Sequence, residues 1–227
     1  MEMSLRQAIQ KLKFLTGITR HDVINDLNII LVSLDQIRSD PDRDRRDRHI
    51  LRAMEAGEVL ERTINFTREY DEFGSISGQW TSLCRIIRQA CREMSVPDTD
   101  PEYEISSDIE VFTDPVIRKV FTTLLDNSYR HGKRVSGIHI SARSEGDSLM
   151  IVYEDDGIGI PDAEKERIFD HGFGKNTGIG LFLSREILSI MGMTIRETGV
   201  PGKGARFEIM VPKGYFRISP PAKIEAL

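Results

Sequence analysis

Glu154-Asp155-Asp156-Gly157-Ile158-Gly159-Ile160-Pro161 is the stretch on which the fold reading turns. The alternating residues Leu149 to Tyr153 just before it predict a strand, so paired acids and two glycines stand where that strand ends. Upstream, Ile138 to Arg143 predicts another strand, and Asp114 to His131 predicts a helix with Pro115 in its first turn. That helix carries Leu124-Leu125-Asp126-Asn127-Ser128-Tyr129-Arg130-His131-Gly132. Downstream come Ile168-Phe169-Asp170, then Gly172-Phe173-Gly174-Lys175. Thr177-Gly178-Ile179-Gly180-Leu181-Phe182-Leu183-Ser184 enters a helix predicted over Gly178 to Met191. Gly202-Lys203-Gly204-Ala205-Arg206-Phe207 follows a short strand, Met193 to Glu197, and leads into another, Ala205 to Val211.

Glycine-rich turns of this kind suit phosphate, but the two common motifs are absent. Lys175 is followed by Asn176, and Phe169 stands where a P-loop needs its first glycine. The pairs Gly157/Gly159 and Gly178/Gly180 each lack the third glycine of a dinucleotide fingerprint. Taken in order, the five segments resemble the N, G1, F, G2 and G3 boxes of the histidine-kinase catalytic domain. That domain belongs to the GHKL (Bergerat-fold) ATPase group with gyrase B, Hsp90 and MutL. The resemblance covers about residues 76 to 214. It implies an α+β ATP-binding sandwich, with ATP and Mg²⁺ as its cofactors.

The resemblance also assigns residues. Asn127 is the metal ligand, since a side-chain carbonyl suits an Mg²⁺ held mainly by phosphate and water oxygens. Arg130 and His131 follow on the same helix face and donate to phosphate. Asp155 accepts the adenine amino group, and Gly157 and Gly159 let the backbone approach the base. Gly178, Gly180 and Leu181 sit at a helix N-terminus that suits phosphates, and Lys175 is a lid contact to the terminal phosphate. Two departures stand out. Thr123 replaces an asparagine often seen early in the N box, and Ala205 replaces the serine or threonine of many G3 boxes. Both imply altered contacts around metal or adenine.

Working toward the N-terminus, Glu72-Phe73-Gly74-Ser75-Ile76-Ser77-Gly78 reads as a linker, and a helix is predicted from Trp80 to Met94. Short strands are predicted at Glu102 to Ile105 and Glu110 to Phe112. Before the linker, Leu5, Ile9, Leu12, Leu15, Ile18, Val23, Leu27, Ile30, Leu34 and Ile37 form one helical seam. Ile50, Met54, Ala56, Val59, Leu60, Ile64 and Phe66 form a second. The charged run Arg38 to Arg48, opening Ser39-Asp40-Pro41-Asp42, is read as the connection. Two helices cannot cover their own apolar stripes, so a homodimeric four-helix bundle is expected.

On the first helix, Thr19-Arg20-His21-Asp22-Val23-Ile24-Asn25-Asp26-Leu27 resembles the phosphoacceptor H box, most closely the His-Asp form of archaeal sensor kinases. The resemblance makes His21 the nucleophile, Asp22 the group that orients its ring, and Asn25 a positioner of water for the reverse reaction. Asp26 replaces the usual proline, so any bend must arise elsewhere, at Gly17 for example. The expected domains are a dimerisation and phosphotransfer hairpin over residues 1–74, an ATP-binding domain over 75–217 and a tail over 218–227.

The composition fits. The chain has 227 residues, 39% hydrophobic and 30% charged, which excludes general disorder. A net charge of -5 argues against nucleic acid as the main ligand. Cys84 and Cys91 lie seven apart on a predicted helix, unsuited to a disulfide or zinc. With no spanning run and no signal-peptide pattern, a cytoplasmic location without membrane contact is expected, alone or as the cytoplasmic part of a membrane-anchored sensor. The expected function is a two-component sensor histidine kinase: ATP-dependent phosphorylation of His21, transfer to an aspartate on a response-regulator receiver domain, and phosphatase activity on that regulator. The alternatives weighed are a GHKL-type ATPase clamp, which would carry a glutamate base in the N box, and a nucleotide-binding dimeric scaffold.

Overall fold

Asp40-Pro41-Asp42 separates two helices in the structure, a computed structural model that describes residues 23–72, 78–94, 101–170, 173 and 180–219. The first, α1, covers 23–39, and the second, α2, runs Arg43–Glu72. The connection is therefore shorter than the charged run suggests, because Arg43 to Arg48 is already helical. The cause is local. The Asp42 carboxylate accepts the Arg45 N–H at 3.0 Å and so caps the first turn of α2. That bond holds its carboxyl below the ordinary carboxylate range.

Within the hairpin, burial recurs at 26, 30, 33 and 37 on α1 and at 49, 53, 56, 60 and 63 on α2. Steps of three and four make a heptad seam. Its most buried members are small or polar: Asp26, Ser33, Ala56 and Thr63. Thr63 satisfies its hydroxyl on the Val59 carbonyl at 3.0 Å. Ile30, Ile37 and Leu60 on the seam are half-buried, and the other large apolar side chains lie off it. Leu27, Leu31, Leu34, Leu51 and Met54 are between 45% and 59% exposed.

The chain divides into two compact units, this helical one and an α/β unit that holds Ile76–Phe169 and Leu181–Leu227. The second unit contains β1 (Gln79–Ser82), α3 (Leu83–Met94), β2 (Glu102–Glu104), β3 (Ile109–Thr113), α4 (Arg118–His131), β4 (Ile138–Glu145) and β5 (Ser148–Asp155). After them come α5 (Gly180–Ile190), β6 (Thr194–Glu197), β7 (Arg206–Val211) and β8 (Phe216–Ile218). Single 3₁₀ turns occur at Pro115–Ile117 and Arg167–Phe169.

Five strands form a mixed sheet in the order β2-β4-β5-β7-β6, antiparallel except for the β2/β4 pair. Register aligns Ile140 with Tyr153 and Tyr153 with Phe207. One row over, Ile151 faces Ile209, which faces Ile195. All of these are buried, so one face of the sheet is a continuous apolar layer. The inner stripe of α4 covers part of it, with Val120, Phe121, Leu124, Leu125 and Ser128 buried. The α+β expectation holds.

Two details differ from it. Trp80 lies on a strand, not a helix, because β1 pairs antiparallel with β3 and sets Trp80 opposite Phe112. The rings meet edge-on at 5.4 Å, and the Arg217 guanidinium lies 4.4 Å above the Trp80 ring. The sequence reading also missed β8, which completes a second, three-stranded sheet in the order β1-β3-β8. A three-residue strand has too few alternations to register as a pattern.

Candidate functional site

Asp155 ends β5 and is 9% exposed. Its Oδ1 accepts the backbone N–H groups of Gly157 and Ala205, each at 3.0 Å. Its Oδ2 accepts from the Ser128 hydroxyl at 2.5 Å. That hydroxyl also bonds the Tyr153 hydroxyl at 2.8 Å. One carboxylate thus ties together α4, the turn after β5 and the segment entering β7. Burial pushes the Tyr153 phenol well above its ordinary pKa, so it stays protonated and donates.

The glycines let these segments meet. A Cβ on Gly157 would sit 2.8 Å from the Gly132 Cα at the end of α4. Gly204 has φ +119°, and a Cβ there would run into the Asp155 carbonyl oxygen. Gly159 lies beside the carbonyls of Val200 and Gly204. Backbone bonds from Ile158 N–H to Gly132 O and from Gly202 N–H to Ile158 O, at 3.3 and 2.7 Å, lace the three turns together. The N, G1 and G3 segments therefore converge on Asp155. Phe169, from the F segment, is buried with its ring edge-on to Phe207 at 6.4 Å and Arg185 at 5.5 Å from its centroid.

On α4 the outward stripe carries Asn127, Arg130 and His131, all placed as the helical spacing predicts. The Asn127 Nδ2 is buried and has no hydrogen-bond partner, so the protein does not hold this side chain through its nitrogen. A divalent cation would take the carbonyl oxygen of this side chain, since the Nδ2 group only donates. Arg130 donates from Nε to Asp126 at 2.6 Å, which leaves its terminal nitrogens for an anion. Gly180 and Leu181 open α5. Asn25 is exposed on α1, and Asp26 beside it is buried within an unbroken helix. His21, Asp22, Gly17, Lys175 and Gly178 lie outside the described residues.

Four further residues shape the site and were not expected from sequence. Asp156 turns away from Asp155 and accepts the N–H groups of Ser136 and Gly137 at 2.8 and 3.0 Å, and the Ser136 hydroxyl. Those donors hold its carboxyl below the ordinary value of 3.8. Glu197 is buried and accepts the N–H groups of Gly199 and Arg206 at 3.0 and 3.1 Å. Lys165 bonds the Gly199 carbonyl at 2.6 Å and lies 3.6 Å from Glu197, which shapes the loop before β7. Ser128 is the fourth. Its one sequence signal is a hydroxyl on the apolar stripe of α4.

An open cavity of about 450 Å³ lies beside Glu154, Thr198, Lys203, Arg206 and Glu208 and reaches Asp155. Gly204 and Ala205 also line it, so it touches the convergence from the β7 side, and it borders neither Asn127 nor Gly157. Among the described residues no cluster of His, Cys, Asp and Glu could hold a metal by itself. Cys84 and Cys91 are not joined by a disulfide.

Comparison with known proteins matches this geometry. Residues 113–215 fit the family described as "Histidine kinase-, DNA gyrase B-, and HSP90-like ATPase". The alginate biosynthesis sensor protein KinB of Pseudomonas aeruginosa is 40% identical over 101 residues, which covers 42% of this chain and 17% of KinB. The chain thus spans under a fifth of that relative's length. The full-length ShkA structure in complex with AMPPNP is similar over 88% of this chain and 45% of its own, with a TM-score of 0.57 and 17% identity. The histidine kinase ThkA in complex with the response regulator protein TrrA covers 92% of this chain and 64% of its own, with a TM-score of 0.52 and 21% identity. KinB is a bacterial protein and lends no support to the archaeal likeness of the H box. Residues 113–215 thus match the family model of histidine kinase-, DNA gyrase B- and HSP90-like ATPases, and in the chain they follow a helical hairpin.

Proposed function

We propose that this chain is the transmitter of a two-component sensor histidine kinase, which uses ATP to phosphorylate His21 and passes the phosphoryl group to an aspartate of a response-regulator receiver domain. The observation that carries the reading is the convergence of α4, the turn after β5 and the segment entering β7 on the Asp155 carboxylate. A buried carboxylate with a remaining acceptor position suits the 6-amino group of adenine. The AMPPNP complex of ShkA and the regulator complex of ThkA supply the analogy for nucleotide and partner.

Asn127 would hold Mg²⁺, which when bound neutralises charge on the transferred phosphoryl group. Arg130 and His131 orient phosphate oxygens from the same stripe of α4. Gly180 and Leu181 at the start of α5 would bind phosphate through backbone N–H groups, with Gly178 and Lys175, which lie outside the described residues, assigned to the same phosphates by the family resemblance. The neutral imidazole of His21 attacks, while Asp22 takes the hydrogen bond of its other ring nitrogen and steadies the developing charge. Asn25 positions water for dephosphorylation of the regulator.

A homodimer belongs to this reading. The hairpin leaves Leu27, Leu31, Leu34, Leu51 and Met54 about half exposed, and a second copy would bury them in a four-helix bundle. The chain would work in the cytoplasm, alone or within a larger membrane-anchored sensor. Among the described residues no helix is long and apolar enough to cross a membrane.

The test is autophosphorylation with γ-labelled ATP and Mg²⁺, comparing the native chain with His21→Gln and Asn127→Ala. The expected label is acid-labile and alkali-stable, and it is lost at least about a hundred-fold in both variants. Nucleotide binding without label, with a receiver domain present, would overturn the kinase reading.

A further inference from the structure

Asp155 has more donors around it than base recognition requires, and one of them comes from a side chain. Its carboxylate offers about four acceptor positions. The Gly157 and Ala205 N–H groups occupy the two on Oδ1. Ser128 occupies one on Oδ2. A carboxylate only accepts, so the Ser128 hydroxyl proton must point at Asp155. Its oxygen therefore accepts from the Tyr153 hydroxyl. The result is a one-way chain, Tyr153 to Ser128 to Asp155, with every member buried. Each bond polarises the next in a low-dielectric setting.

We propose that Ser128, backed by Tyr153, is a positioning residue that makes Asp155 selective for purine nucleotides bearing a 6-amino group. The inference rests on the reading of Asp155 as the adenine acceptor and adds to it the residues that aim its free position. Without Ser128 the Oδ2 atom has two open positions and only the Oδ1 bonds to hold the carboxylate plane. A second acceptor position then stands open to water, and the amino group loses its fixed target. The same bond links base recognition to Asn127, because Ser128 is the next residue on α4. Ser128 itself touches no nucleotide in this account, so its effect acts through Asp155.

The experiment is direct titration of the full chain by calorimetry, with Mg²⁺ present, using ATP and purine riboside 5′-triphosphate, which lacks the 6-amino group. The native chain is expected to prefer ATP. Ser128→Ala should weaken ATP binding about ten-fold while changing the analogue by less than about two-fold. Tyr153→Phe should give a smaller loss with the same selectivity. Equal losses for both nucleotides would make Ser128 merely structural and overturn the proposal. So would an unchanged ATP preference in Ser128→Ala. A native chain without any ATP preference would overturn the adenine reading of Asp155 itself, and the proposal with it.

Discussion

Asp155 and Asp156 are neighbours in sequence with different tasks. Asp155 points into the sheet–helix interface and collects three donors, while Asp156 is exposed and braces the entry to β4. Replacing Asp155 by Asn would turn an acceptor into a donor facing buried donors. The expected cost is about 1–3 kcal/mol of stability and loss of ATP binding, read by thermal melting and titration. Asp156 gives a pH signature. Its native carboxyl titrates below its unfolded value of about 3.8, so its contribution is present above that value. The contribution is lost as pH falls through the lower native value. Melting midpoints of the native chain and Asp156→Asn should therefore differ at pH 6 and converge near pH 2. A gap that persists at low pH would show that the carboxylate charge is not responsible.

At the scale of the element, α4 carries two stripes with separate duties. Val120, Phe121, Leu124 and Leu125 anchor the helix, and Asn127, Arg130 and His131 face outward. The 3.6-residue period made both stripes legible in the sequence, and structure leaves them where the spacing predicts. Ser128 was harder to read, because one hydroxyl on an apolar stripe has no local pattern, and its partners lie 25 and 27 residues away. Trp80 failed for a related reason. Its strand exists through pairing with Phe112, a contact invisible to any local window. Phe169 packs edge-on to Phe207, so Phe169→Ala should cost about 3–5 kcal/mol, read by chemical denaturation of the full chain. A loss under about 1 kcal/mol would mean that the segment is not anchored there. Asp42→Ala removes the cap of α2 and should fray its first turn, seen as faster amide exchange at Arg45.

Across the whole molecule, the hairpin and the α/β unit bury apolar surface in different ways. The α/β unit closes its own core, with Tyr153, Phe121 and Phe207 fully covered. The hairpin gives the most buried positions of its seam to small and polar residues, half-buries Ile30, Ile37 and Leu60 there, and leaves Leu27, Leu31, Leu34, Leu51 and Met54 exposed. A stripe of that size calls for a partner surface. Leu31→Asp together with Met54→Asp should convert a dimer to a monomer in sedimentation at micromolar concentration. Helical signal should fall with it, because hairpins of this kind draw stability from packing. A variant that remains dimeric would place the interface elsewhere.

By itself the sequence determined the order of the glycine-bearing segments, the helical hairpin, the shared helix face of Asn127, Arg130 and His131 and the strand-end position of Asp155, because each belongs to a short segment with its own chemistry or period. The tertiary structure alone decided which donors surround Asp155, where β1 and β8 pair, and which side of the hairpin stripe is buried. Those outcomes depend on contacts between distant segments. Hydrogen bonds and packing form wherever the whole chain brings partners within reach, and a local pattern carries no record of the partner.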